Sequence, residues 1–282
     1  MSRSLEGKLA IITGGSRGIG AGIAENLAAK GANLVIGYTS SSSTEAANEL
    51  ASRLSSTHNI RVVPIQAELS DSSGPEQLID QAKQAFAPDG SKFQIDIIVN
   101  NAGIARNAPI QEIKPTDFNA TYTVNVLAPL LLIQSSLPYL PQSSTRLPTG
   151  RIINISSVSS STGFVGQSIY GGTKAALEAM TRTWARELAH SCTVNAINPG
   201  PVEGPMYASN SPEFLEGIKG WIAHTPLMKP REGVDSPEVV ESGERLAQTK
   251  EIAGVVGMLC GDDAGYVTGQ VVCANGGMVL LH

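Results

Sequence analysis

Tyr170 and Lys174 stand four residues apart in Tyr170-Gly171-Gly172-Thr173-Lys174, at the start of a long Ala-rich stretch. Four residues are about one turn of an α-helix, so both side chains project from one face. A phenol titrates near ~10 and is a poor base at neutral pH. An ammonium on the next turn favours the phenolate, which makes the pair a candidate for moving a proton on and off a bound oxygen. Alone, the pattern is common by chance, and a surface ion–dipole pair has the same spelling.

Other polar residues gather where apolar runs end. Asn154-Ile155-Ser156-Ser157 closes one run, Asn100-Asn101-Ala102-Gly103 another and Asn198-Pro199-Gly200 a third, while Asn125 lies inside a helical stretch. Ligands of open α/β sheets bind at the carboxyl ends of the strands. On such a sheet these clusters would face the Tyr–Lys pair across one crevice.

The first apolar run passes directly into Thr13-Gly14-Gly15-Ser16-Arg17-Gly18-Ile19-Gly20, where a helical pattern begins. Glycines let backbone approach a pyrophosphate, and a helix N-terminus offers free N–H groups and a favourable dipole. The spacing is G-x-x-x-G-x-G, not G-x-G-x-x-G. Its plain alternative is a strand-to-helix turn with glycine for packing, but three spaced glycines exceed that need. An NAD site places an acid about 20 residues later, on the ribose 2′-hydroxyl. Here Gly37-Tyr38-Thr39-Ser40-Ser41-Ser42-Ser43 has no acid before Glu45. A carboxylate would repel a 2′-phosphate, so its absence, the hydroxyls and Arg17 favour NADP(H). Arg17 can equally be a solvated charge, and the serines a loop with a helix N-cap. The cationic ring of the oxidised cofactor would also favour a Tyr170 phenolate.

These groups need a scaffold, and the chain spells one. Short apolar, β-branched runs at 9–13, 33–38, 61–66, 95–100, 151–156, 192–198 and 270–274 alternate with helical patterns at 19–30, 43–55, 74–86, 115–137, 168–190 and 249–260. Near-continuous apolar strands separated by helices predict a parallel sheet covered on both faces. Right-handed crossovers then give an α/β, Rossmann-like, doubly wound sheet of about seven strands. The strict alternation predicts one domain over 1–282. Two stretches break it: 138–149 reads as a surface loop, and 201–248, long and polar with helical scraps, reads as a substrate loop or lid.

Bulk composition excludes several alternatives. The 282 residues carry 20 Lys+Arg against 25 Asp+Glu, a net charge of −5, with no basic run to meet phosphates of nucleic acid. Cys192, Cys260 and Cys273 fit no zinc spacing and read as thiols in a reducing compartment. His58, His190, His224 and His282 are scattered, so no metal site is expected. The N-terminal residues lack a secretory apolar stretch, and no run approaches the ~20 apolar residues of a membrane span. A cytoplasmic protein is expected.

Taken in order, residues 13–20, Asn100–Gly103, Asn125, Ser157, Tyr170–Lys174, Asn198-Pro199-Gly200 and Tyr266-Val267-Thr268-Gly269-Gln270 resemble the short-chain dehydrogenase/reductase family over nearly the whole chain. In texture the chain is most similar to fungal and bacterial ketoreductases of 3-oxoacyl, polyketide or similar ketones. The resemblance implies an NADPH-dependent reductase of a small carbonyl substrate, with a place in secondary metabolism. Its alternatives are alcohol or imine oxidoreduction with NADP and a non-redox protein that keeps the cofactor fold.

The resemblance also implies roles. Tyr170 is the general acid, and Lys174 holds the nicotinamide ribose. Ser157, thirteen positions before Tyr170, holds the substrate oxygen, and Asn125 anchors a water leading to Lys174. Gly14, Ser16, Arg17, Gly18, Ile19 and Gly20 line the cofactor with Tyr38, Ser40, Ser41, Leu69, Asn101, Ala102 and Gly103. Pro199, Gly200 and Val202 lie beside the nicotinamide. Three departures stand out. Glu68 replaces the usual Asp near adenine, and Glu203-Gly204-Pro205 replaces a hydroxyl contact. An acidic insertion between Pro226 and Thr249 is expected to shape the substrate mouth. A homotetramer or dimer is implied as well.

Overall fold

Leu9–Ile12, Asn33–Tyr38, Val62–Gln66, Ile97–Asn100, Gly150–Ile155, Cys192–Pro199 and Val271–Ala274 form strands β1 to β7 of the computed structural model, which describes residues 3–142 and 145–280. They make one sheet in the order β3-β2-β1-β4-β5-β6-β7, and every neighbouring pair is parallel. β1, β4, β5 and β6 are buried at every position, which is why their runs are apolar without alternation. Strand order reverses between β1 and β4, so a crevice opens at their carboxyl ends.

The helices are α1 (Gly18–Ala29), α2 (Thr44–His58), α3 (Gly74–Phe86), α4 (Pro115–Tyr122), α5 (Ala128–Ser136), α6 (Ser159–Thr162), α7 (Ser168–Glu187), α8 (Pro205–Ala208), α9 (Pro212–His224), α10 (Pro237–Ser242) and α11 (Thr249–Leu259). Alternate residues of one strand feed different cores. Ala10 and Ile12 pack with Ile23 of α1, Leu50 of α2 and Ile252 of α11. Leu9 and Ile11 pack with Leu78 of α3, Leu132 of α5 and Leu177 of α7. The expected doubly wound architecture is the one observed.

Three expectations change. The single helix expected over 115–137 is divided by a π turn at Thr123–Leu127, which carries Asn125. Contrary to the expectation of no membrane-length run, Pro115–Tyr139 spans 25 residues and contains an 18-residue window of mean hydropathy 1.3. That run packs α5 on α3 and α4 on α7, and it buries Thr121 and Asn125, so it serves as a helix covering the sheet. Finally, besides the short helical pieces α8 and α10, 201–248 contains the 13-residue helix α9. α9 and α10 each begin with Ser-Pro-Glu, where Ser211 accepts from Phe214 N and Ser236 from Val239 N. A serine cap followed by proline at the first helical position is a recognisable start signal. Ser143 and Ser144 of the expected surface loop, and His282, lie outside the described residues.

Candidate active site

Backbone geometry at the first strand–helix junction demands glycine. Gly14 and Gly18 have φ of +61° and +56°, in the left-handed region where a side chain is strained. A Cβ on Gly20 would collide with the Gly14 carbonyl and lie 2.6 Å from Asn101 Nδ2. Asn101 Nδ2 donates to the carbonyls of Thr13 (2.9 Å) and Gly14 (3.0 Å), while Thr13 Oγ1 accepts from the backbone N–H of Asn101 and Ala102, each at 3.1 Å. The ends of β1 and β4 are thereby locked together. The first turn of α1 carries no acidic residue, and no side chain caps its N–H groups. Exposed Arg17 stands at this N-cap. The cradle suits a pyrophosphate: backbone can approach closely, and the helix end presents unpaired donors.

The end of β2 lies across from it. Ser40 Oγ and Ser42 Oγ are 2.6 Å apart, and Ser40 caps the short turn Ser41–Ser43. Tyr38 is buried and Leu69 is 7% exposed, whereas Glu68 is exposed and its carboxylate accepts from Ser70 N (2.9 Å) and Ser70 Oγ (2.7 Å). Glu68 is thus occupied by its own turn.

Tyr170 and Lys174 lie on the first turns of α7, both buried, with Lys174 Nζ 5.6 Å from the centre of the Tyr170 ring. Lys174 Nζ donates to Ile155 O at 2.7 Å. Burial holds the ammonium down to about 8, against the opposing pull of the Glu178 carboxylate. Burial also pushes the Tyr170 phenol up to about 12, while a hydrogen bond with Ser157 lowers it. The ammonium is expected to favour phenolate; here removal of the phenol from water is the largest effect and acts the other way. Ser157 projects from the end of β5, where its Oγ donates to Ser159 Oγ at 3.0 Å and accepts from Ser159 N at 3.2 Å.

Asn125 sits just behind. Its Oδ1 accepts from Ile104 N (2.9 Å), and its Nδ2 donates to Ile104 O (2.9 Å) and Thr173 Oγ1 (3.0 Å). The side chain therefore clamps the loop after β4 to α7. Gly103 belongs to that loop, and a Cβ there would come within 3.5 Å of Lys174 Nζ. Pro199, at the end of β6, accepts from Val158 N at 2.9 Å, and Val202 bridges to Ala247. The structure thus gathers the predicted residues of β1, β4, β5, β6 and α7 at one rim.

Three segments far apart in sequence form the mouth. Ala108 N donates to Gly166 O (2.9 Å), and Asn107 Nδ2 to Asn210 Oδ1 (2.9 Å). The Phe164 ring stands edge-on to Phe214 (6.2 Å) and Trp221 (5.6 Å) of α9. Of the insertion expected to shape this region, α10 buries no residue and Arg245 pairs with Asp235 (3.8 Å) and with Glu251 of α11 (2.6 Å), while Met228 and Leu246 pack with Phe164 and Phe214. His224 Nδ1 lies 2.7 Å from Gly220 O within α9. Among the described residues no cluster of three His, Cys, Asp or Glu could hold a metal.

Sequence reasoning missed Glu178 and Thr13. Glu178 follows Lys174 by one more turn, so its spacing was a usable signal.

The profile of the family described as enoyl-(acyl carrier protein) reductase matches residues 14–279. L-xylulose reductase of Aspergillus niger is 52% identical, over 99% of both chains. The chain belongs to the short-chain dehydrogenase/reductase family. Short-chain reductases similar to it include L-xylo-3-hexulose reductase of Hypocrea jecorina, 44% identical over 99% of this chain and 98% of that one. Among solved structures, a blue fluorescent protein from a metagenomic library in complex with NADPH superposes with a TM-score of 0.82 at 34% identity, over 98% of this chain and all of that one. Membership makes the protein an oxidoreductase acting on CH–OH groups with NAD(P). Both named relatives take ketoses, whereas texture alone pointed to 3-oxoacyl and polyketide ketones.

Proposed function

We propose that the protein reduces the ketone of a polyhydroxylated, ketose-like substrate to a secondary alcohol, using NADPH. The observation that carries this reading is the convergence of Ser157 and Lys174 on the buried Tyr170 at the sheet rim, next to the glycine cradle. The 52% identity to an L-xylulose reductase supports the substrate class. NADPH, when bound, supplies the hydride. Ser157 Oγ orients the substrate oxygen, and Tyr170 Oη gives it a proton. Lys174 holds the ribose hydroxyls and replenishes that proton. Asn125 keeps the Gly103–Ile104 loop in place beside Lys174, where a Cβ on Gly103 would come within 3.5 Å of the ammonium. Gly14, Ser16, Gly18, Ile19 and Gly20 cradle the pyrophosphate. Arg17, Ser40 and Ser41 receive the 2′-phosphate, while Tyr38, Leu69, Asn101 and Ala102 border the adenosine half. Pro199, Gly200 and Val202 border the nicotinamide.

The mouth supports a sugar-like substrate. Exposed Asn107, held by Asn210, offers its amide to hydroxyls, and Phe164, Phe214 and Trp221 offer rings to C–H faces. Exposed Phe118, Leu127 and Leu137 along α4–α5 support self-association as a dimer or tetramer. Three free cysteines support a cytoplasmic location.

Two measurements test this reading. With NADPH and a panel of ketones, loss of the reduced cofactor's absorbance is expected to show kcat/KM for L-xylulose or a related ketose at least about tenfold above that for an unhydroxylated ketone of equal length. Turnover confined to acyl or aromatic ketones would overturn the ketose assignment. Gly20→Ala is expected to cost about 1–3 kcal/mol of stability, because the turn has no room for a methyl group. It should also raise the NADPH Kd, measured by fluorescence. An unchanged Kd would remove the cradle from the cofactor site.

A further inference from the structure

Glu178 is a carboxylate with only 9% of its surface exposed, inside the fold rather than on it. Its Oε1 accepts from Ser156 Oγ (2.6 Å), Ser160 Oγ (2.7 Å) and Asn198 Nδ2 (3.2 Å). Those donors belong to three elements: the residue after β5, helix α6 and strand β6. Asn198 Nδ2 also donates to the Ser157 carbonyl (2.9 Å) and to Ser160 Oγ (3.2 Å). The backbone of Ser157 is therefore gripped from both sides by partners of one carboxylate. Such charge-assisted bonds are short and directional, and a buried carboxylate persists only where its lone pairs are satisfied. Tyr170, Lys174 and Glu178 form a single stripe along α7 at four-residue intervals.

We propose that Glu178 is a positioning residue that sets Ser157 against Tyr170 and keeps Lys174 charged. This rests on the proposed roles of Ser157, Tyr170 and Lys174 in ketone reduction. The titratable groups beside Lys174 are Tyr170 one turn before it and Glu178 one turn after. Among the described residues the facing elements contribute uncharged groups: the Ile155 carbonyl, the Asn125 amide and the Gly103 backbone. Burial depresses the ammonium's pKa and Glu178 opposes that, so removing the negative charge lets the pKa fall further.

Two substitutions separate the functions. Glu178→Gln keeps an oxygen for the three donors and loses the charge. It is expected to hold kcat within about threefold near pH 6.5, while the alkaline limb of the kcat/KM profile for reduction moves to lower pH. Glu178→Ala loses both, and kcat should fall about 10²-fold, with the KM for NADPH within about twofold, as misplacement of a reacting group predicts. Ser160→Ala removes a single donor at a half-exposed site, so it remains decisive if Glu178→Ala fails to fold; its kcat should fall about threefold with the melting midpoint unchanged. The proposal is overturned if folded Glu178→Ala keeps kcat within twofold, if Glu178→Gln leaves the pH profile in place, or if Ser160→Ala matches wild type. A wild-type enzyme that reduces no ketone would instead sink the functional reading. NADPH binding by fluorescence, unaffected in all three variants, separates this role from general damage to the fold.

Discussion

Tyr170→Phe is expected to lower kcat for ketone reduction by about 10²–10⁴-fold while leaving the NADPH Kd and the melting midpoint close to wild type. The substitution removes one oxygen from a buried ring and leaves the packing of α7 untouched. Neither polar neighbour is placed to substitute for it. Lys174 Nζ is turned onto Ile155 O, and Ser157 Oγ is a far weaker acid than a phenol in contact with it. Because burial raises the phenol to about 12, Tyr170 is already protonated at neutral pH, as a proton donor must be. The first loss of reductive activity on raising pH is therefore expected as Lys174 discharges, around the value of about 8 to which burial holds it. Stopped-flow absorbance at saturating NADPH measures the chemical step directly. A variant that retains a tenth of wild-type kcat would remove Tyr170 from the reaction.

Ser40→Asp should reverse the cofactor preference. The NADPH Kd should rise about 10²-fold, equivalent to roughly 2.7 kcal/mol, and the NADH Kd should fall. Ser40 accepts from Ser42 N at the start of a short turn, and aspartate is an equally good capping residue, so the local fold is retained. The new carboxylate would stand where the 2′-phosphate is proposed to bind, at an exposed strand end otherwise lined by hydroxyls. Part of the repulsion is screened by salt, so the titrations belong at low ionic strength. Equal losses for both cofactors would show that the residue serves only the turn.

Much of this arrangement was readable before any coordinates. The strands stand out because parallel strands buried on both faces are written as unbroken β-branched runs, and β2 and α3 begin and end where the pattern does. The Tyr170–Lys174 spacing and the polar clusters at strand ends follow from helix and sheet periodicity. The π turn was hidden, because it accompanies a tertiary clamp between Asn125 and a loop 21 residues away. Tyr170 shows the same limit in its electrostatics: spacing reveals the ammonium, but only the fold reveals how dry the phenol is. Helix α9 was legible in its Ser-Pro-Glu start, but the polarity of the surrounding stretch masked it. The substrate loop was legible as the segment 201–248, but its contacts were not, since Asn107 and Asn210 meet across 103 residues.

The apolar side chains beneath α9 belong to neither of the two cores that flank the sheet. Ile218, Ile222 and Met228 make a separate patch with Phe164, Tyr207 and Leu246. Lifting α9 off this patch exposes three buried side chains, worth about 1.5–3 kcal/mol each. Its amides should therefore exchange with solvent deuterium through a partial opening cheaper than global unfolding. Substrate bridging α9 and the rim would slow that exchange there and nowhere else, turning a crowded doorway into a reporter of occupancy.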